Sequence, residues 1–161
     1  MKPAQYYIDH LNLLPHPEGG FYKETYRDPL SVINRKGDER SASTGIYFML
    51  TKGNFSAFHR IESDEMWHHY EGESLTVYVI NDSSELIEIK LGKNLEKGEQ
   101  LQAVVPAGNW FASRVNQGDY SLVGCTVAPG FDFQDFEMAD REKLIEEFPA
   151  HSEIITELTR L

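Results

Sequence analysis

His59 and Glu65 lie on a stretch bracketed by Gly53 and Gly72, with the spacing Gly-x5-His-x-Ile-x3-Glu-x6-Gly. An imidazole and a carboxyl are the side-chain pair best suited to moving protons near neutral pH, one as base and one as acid. Two short strands joined by a turn would bring both groups to one wall of a β-barrel, where they meet one small ligand. Burial of Glu65 raises its pKa, whereas proximity to His59 favours an ion pair. Either state gives a proton donor and acceptor unlike those of bulk water.

Other reactive side chains offer less. Cys125 is the single cysteine and sits in the apolar run Leu122-Val123-Gly124-Cys125-Thr126-Val127, which predicts a buried, inert thiol. One cysteine also excludes an intramolecular disulfide framework. Glu18-Gly19-Gly20 lacks the spacing and the lysine of a phosphate loop, and predicts a tight turn instead. No Ser-His-Asp set has a supporting motif.

The elements that must position His59 and Glu65 follow from periodicity. Ala4, Tyr7, Ile8 and Leu11 recur at helical spacing, predicting an N-terminal helix over about residues 3–12 that Pro15 and Pro17 end. Across about residues 20–128 the pattern changes to short apolar segments split by turn residues, such as Asn81-Asp82-Ser83-Ser84 and Pro106-Ala107-Gly108. Eight or more strands at this spacing predict an all-β sandwich or closed barrel. Helical spacing returns over about residues 139–161, where Asp140 can cap one helix and Pro149 opens another. These helices lack a core of their own and should pack outside the barrel. A chain of 161 residues fits one such domain.

Composition narrows the partners. The formal charge of −11, from 26 acidic and 15 basic residues, opposes binding to nucleic-acid backbones or anionic membranes. Hydrophobic content of 40% with 12% aromatic residues suits a packed core. The N-terminus carries no apolar signal region and no run reaches membrane-spanning length, so a cytoplasmic protein with a small-molecule ligand is expected.

The spacing of residues 53–72 resembles the first motif of the cupin superfamily, Gly-x5-His-x-His-x3,4-Glu-x6-Gly. Pro106-Ala107-Gly108-Asn109-Trp110-Phe111 resembles the second, Pro-x-Gly-x2-His. Pro15 to Tyr22, Ser63 to His68 and Val127 to Phe131 add a wider likeness to a bacterial and fungal cupin family without an established biochemical role. The resemblance implies a double-stranded β-helix, or jelly roll, and commonly a homodimer. Metal-binding cupins use two histidines and a carboxylate of the first motif and one histidine of the second. Those positions are here His59, Ile61, Glu65 and Phe111, so two donors have become hydrocarbon. No cofactor is expected beyond a weakly held divalent metal, whose ligands would be His59, Glu65 and His68 or His69. Strand alternation from Glu65 puts Trp67 and His69 on its face and Met66 and His68 on the other, unless a bulge intervenes.

The expected pocket is therefore apolar, with Phe55, Ala57, Ile61 and Phe111 around His59 and Glu65. Tyr47, Trp67 and Trp110 are candidate stacking residues, Ser113 a candidate hydroxyl, and Tyr22, Glu24, Tyr26 and Arg27 candidate recognition groups on the first barrel strand. Metal-free cupins that epimerise keto-sugars use a pocket histidine as base. By that analogy the chain is read as a metal-independent isomerase or epimerase on a small polar metabolite such as a sugar derivative, with His59 as base and Glu65 tuning or relaying the proton. The alternatives are a non-catalytic binding or sensing module and, less favoured, a metal-dependent oxygenase or isomerase.

Overall fold

The computed structural model describes residues 1–161. Its strands are β1 (Leu14–Pro15), β2 (Phe21–Arg27), β3 (Ser31–Ile33), β4 (Glu39–Ser41), β5 (Thr44–Thr51), β6 (Phe55–Arg60), β7 (Asp64–Gly72), β8 (Leu75–Ile80), β9 (Leu86–Leu91), β10 (Gln102–Val105), β11 (Trp110–Val115), β12 (Tyr120–Ala128) and β13 (Glu137–Met138). Helices α1 (Ala4–His10), α2 (Arg141–Glu147) and α3 (Ser152–Glu157) flank them. The strands form a six-stranded sheet in the order β1-β2-β5-β12-β7-β10 and a five-stranded sheet in the order β13-β6-β11-β8-β9, with β3-β4 as a separate hairpin. Every strand pair is antiparallel, and neighbours such as β5-β12 and β7-β12 are distant in sequence, as in a jelly roll.

Alternation decides what each face does. Phe48, Leu50, Trp67, Val77, Val79, Phe111, Val123 and Cys125 point between the sheets and form the main core. On the outer side of the five-stranded sheet, Phe58, Tyr78, Ile80 and Ala112 meet Leu144, Ile155 and Leu158 of the C-terminal helices. Asp140 caps α2 by accepting a hydrogen bond from the Lys143 amide. Pro149 opens a short 3₁₀ turn that leads into α3, a departure from the continuous helix expected there. The N-terminal stripe Ala4, Tyr7, Ile8 and Leu11 packs against Leu13, Met49, Tyr120 and Leu122, at one end of the six-stranded sheet.

The barrel is longer than the sequence pattern predicts. β1 and β13 fall outside residues 20–128 because they are two-residue strands added by pairing to β2 and β6, too short to leave a period. Both glycines of the first motif take left-handed backbone angles, φ +81° at Gly53 and +84° at Gly72. Gly53 stands in open space, whereas a Cβ at Gly72 would lie 2.4 Å from the Tyr120 carbonyl oxygen.

Candidate active site

A cavity of about 380 Å³ opens between the two sheets at one end of the barrel. β2 supplies Tyr22, Glu24 and Arg27; β5 supplies Thr44, Ile46 and Phe48; β7 supplies Glu65 and Trp67; β12 supplies Cys125 and Val127. His59 comes from β6 and Ile61 from the turn that follows it. Two segments outside the regular barrel complete the wall: His16 and Glu18 before β2, and Phe131, Asp132, Phe133 and Phe136 after β12.

His59 is buried, and its Nδ1 lies 2.7 Å from the Ala57 carbonyl oxygen. A carbonyl only accepts, so Nδ1 carries the proton and Nε2 is left as a lone-pair acceptor. Burial pulls the His59 pKa down to about 4, against a weaker opposing effect of that hydrogen bond, so the ring is neutral at physiological pH. Its plane is held between Phe111, 4.1 Å away by ring centroids, and Phe136, stacked at 5.2 Å.

Glu65 accepts a hydrogen bond of 3.0 Å from Trp67 Nε1 through one carboxyl oxygen. Burial pushes its pKa up to about 7, outweighing that bond. His59 and Glu65 do not share one wall as the sequence suggested: β6 and β7 belong to the two facing sheets, and the ion pair offered by the sequence does not form. Each group is desolvated separately, and the Glu65 hydrogen bond goes to an indole instead of an imidazole.

The second acid–imidazole couple escaped the sequence reading. Glu18 is buried with Oε2 against His16 Nδ1, while the Glu18 amide donates to the same nitrogen at 3.3 Å. Burial, then the nearby Glu65 carboxyl, raises the Glu18 pKa well above the ordinary value. Burial, then His59, lowers His16 to about 4. Burial thus disfavours the charged form of both partners. Their signal was a histidine and a glutamate set between Pro15, Pro17 and the Gly19-Gly20 turn. A Cβ at Gly19 would overlap the Phe55 carbonyl, so only glycine lets this segment press against β6. The Ala57 amide donates to the Glu18 carbonyl at 2.9 Å and fixes the approach.

Several predicted lining residues lie elsewhere. A register shift between β6 and β11, with Phe111 opposite His59 but Ser113 opposite Ser56, inserts a bulge near Ala57. Phe55 is thereby turned to the helix side, under the Arg160 guanidinium at 4.1 Å. Ala57 contributes its carbonyl to His59 but no wall. Tyr47 alternates with Ile46 and Phe48, so it faces outward, edge-on to Tyr70 at 6.1 Å. Phe111 and Ser113 are buried in the barrel without lining the cavity. Trp110 belongs to the helix-covered core with Arg60 stacked on it, and Tyr26 is exposed. Ile61, Trp67 and Glu24 do line the cavity, with Tyr22 and Arg27. Cys125 lines it too, and burial holds its thiol well above the ordinary pKa, as an inert group requires.

The cupin metal set does not fit these residues. Ile61 and Phe111 carry no donor atom, and His68 points from the opposite sheet face to Thr126 Oγ1 at 3.0 Å. His69 is buried farther along β7, with Nε2 donating to the Glu73 carbonyl. No cluster of three or more His, Cys, Asp or Glu side chains is arranged to hold a metal ion.

Fold and motif spacing together define a cupin barrel. A family model described as Cupin superfamily (DUF985) matches residues 5–139, and the chain belongs to that family. An uncharacterised protein of Saccharomyces cerevisiae is 31% identical over 146 residues, covering 81% of this chain and 72% of that protein. A hypothetical protein from Leishmania major superposes with a TM-score of 0.94 at 37% identity, covering 99% of this chain and 100% of the other. A Shewanella oneidensis protein does so at 0.92 and 42%, covering 99% of each. Oxalate decarboxylase from Bacillus subtilis shares the fold at a TM-score of 0.57 and 14% identity, over 89% of this chain and 36% of that one.

Proposed function

We propose that the cavity binds a small metabolite and moves a proton on it without a metal, as an isomerase or epimerase does. The observation that carries this reading is the complementary state of two groups lining one cavity from its two facing sheets: His59 with Nε2 free to accept, and Glu65 with a pKa of about 7. On a ligand with a carbon–hydrogen bond next to a carbonyl, His59 Nε2 takes the proton from carbon while the Glu65 carboxyl gives its proton to the carbonyl oxygen. The enol so formed returns to the carbonyl when Glu65 takes back the proton from that oxygen and carbon receives a proton from His59 Nε2–H, exchanged with solvent in between. On a 2-hydroxycarbonyl ligand, Glu65 instead takes the proton of the neighbouring hydroxyl while His59 protonates the former carbonyl carbon, moving the carbonyl by one atom. A carboxyl poised near neutral pH suits the acid role. A neutral imidazole suits the base role, because it develops charge only as the reaction proceeds.

The test is solvent exchange. Incubation with a small-metabolite extract in heavy water should give one compound that gains a deuteron only with active protein. His59→Gln and Glu65→Gln should each reduce that incorporation at least a hundredfold. A binding or sensing module is the second reading, favoured by Ile61 and the aromatic walls that surround the acid and base. A compound that co-purifies, yet never exchanges and leaves chemically unchanged, would establish it.

A further inference from the structure

Aromatic rings surround this cavity as a closed belt. His16 meets Phe48 at 5.9 Å, Phe48 meets Trp67 at 5.9 Å, and Trp67 meets Phe111 at 6.4 Å. Phe111 meets His59 at 4.1 Å and His59 meets Phe136 at 5.2 Å. Phe136 meets Phe133 at 5.9 Å, and Phe133 returns to His16 at 6.4 Å. Every member except Phe111 lines the cavity.

Carboxyls are the commonest ionisable groups inside the belt. Glu18, Glu24, Glu65 and Asp132 line the cavity with no lysine among them. Arg27, the one cationic side chain on the wall, is committed to Glu24 at 2.6 Å and to the Phe131 carbonyl at 3.1 Å. Arg160 approaches Glu18 from outside the cavity, and its donors go to the Glu18 and Phe55 carbonyls and the Asn54 side chain. Glu18 is 6% exposed, and its Oε2 receives no hydrogen bond, because the His16 Nδ1 it faces already accepts from the Glu18 amide. His59 is 5% exposed, and its Nε2 has no partner in the protein. A buried carboxyl oxygen without a hydrogen-bond partner, as at Glu18 Oε2, is costly, and a desolvated cation against aromatic faces is favourable.

We propose that the ligand of this cavity carries a protonated amine, seated at Glu18 within the aromatic belt and donating its N–H groups to the acceptors there. The inference rests on the reading of the cavity as the ligand site and adds the chemical class. His16–Glu18 then forms the recognition corner, with Tyr22, Phe48 and Phe133 beside it, and His59–Glu65 forms the reactive corner next to Trp67 and Phe136. The groups facing Glu18 are His16, Glu65, Arg160 and Ser56. Ionisation of Glu18 on binding would be opposed by Glu65 and assisted by Arg160 and the incoming ammonium, so capture of the amine should release a proton.

The test uses three probes of one shape, benzylamine, benzyl alcohol and benzoate, titrated into the wild-type protein by calorimetry in buffers of different ionisation enthalpy. Benzylammonium should bind at least tenfold more tightly than benzyl alcohol, with net proton release, and benzoate should bind more weakly than either. Glu18→Gln should abolish the preference for the amine and leave benzyl alcohol unchanged. Should that variant fail to fold, the wild-type preference should still grow as pH rises from 6 to 8. Equal or tighter binding of benzoate or benzyl alcohol would overturn the proposal. So would a preference that survives Glu18→Gln, or the failure of all three probes to bind at about 10 mM. Failure of solvent exchange with the amine preference intact would reject the catalytic reading alone.

Discussion

The substitution Glu65→Gln should stabilise the protein, and increasingly so as pH rises. In the folded chain this carboxyl titrates at about 7, against 4.5 ordinarily. Below pH 4.5 both folded and unfolded forms keep the proton and the group contributes nothing. Between 4.5 and 7 the unfolded chain ionises while the folded one holds its proton, so stability falls as pH rises. Above 7 both are ionised and the full cost of enclosing the charge is present. At about 1.4 kcal/mol per pH unit the gap amounts to about 3 kcal/mol, a ceiling that water in the cavity lowers. Glutamine has the same shape, and its carbonyl oxygen still accepts from Trp67 Nε1. Urea unfolding of both proteins at pH 5 and pH 8 isolates the effect. The advantage of Glu65→Gln should widen by about 1–2 kcal/mol between the two, with the m-value unchanged. His16 and His59, each pulled to about 4, lose stability as pH falls below 6.5, but both proteins share that term and it cancels. Removal of Glu65 also eases ionisation of Glu18, which works in the same direction. A difference that stays flat or narrows with rising pH would mean that Glu65 is an ordinary ionised carboxylate, and the proposed acid would be lost.

Further outcomes concern the belt, the lost donors and the motif glycines. Phe136→Ala uncovers one face of the His59 ring, so the imidazole should titrate well above about 4, toward 6.5, in nitrogen-15 NMR spectra; an unchanged titration would place its burial elsewhere. Ile61→His adds a third nitrogen or oxygen donor beside His59 and Glu65, and should raise cobalt(II) affinity at least tenfold over the wild type by absorption spectroscopy. Gly72→Ala meets both a left-handed backbone and the Tyr120 carbonyl, and should cost more than about 3 kcal/mol in urea unfolding. Gly53→Ala meets only the backbone preference and should cost about 1 kcal/mol.

The barrel was legible because its strands carry local signals: the apolar run of β5, alternation in β9, turn residues between β8 and β9, and glycines at φ +81° and +84° where the motif needs them. The inward aim of His59 and Glu65 was legible for the same reason. Strand parity failed where it was interrupted. The bulge near Ala57 reverses Phe55, and no residue type marks it, since the extra residue is tolerated by pairing with β11 and by the Glu18 carbonyl. Tyr47 was assigned by its chemistry, whereas parity with Ile46 and Phe48 already sent it outward. His16, Glu18 and the segment from Phe131 to Phe136 lie outside any strand lining the barrel interior. They reach the cavity through tertiary contacts, such as Arg27 with the Phe131 carbonyl and Arg40 with Asp135, which have no local period.

Ile61 and Phe111 do more than delete two metal donors. The Phe111 ring lies 4.1 Å from His59 by centroids and closes the aromatic belt between the imidazole and Trp67. It therefore holds His59 in the orientation in which Nδ1 reaches the Ala57 carbonyl and Nε2 stays open. A histidine at 111 would add a donor but remove that packing, freeing the His59 ring to turn. The two changes are not equivalent routes back to a metal centre. Ile61→His acts within a cavity that has room for a ligand, whereas Phe111→His alters the support of the base itself. The first should gain metal affinity with the fold intact, and the second should lose stability by about 1–3 kcal/mol before any metal is added.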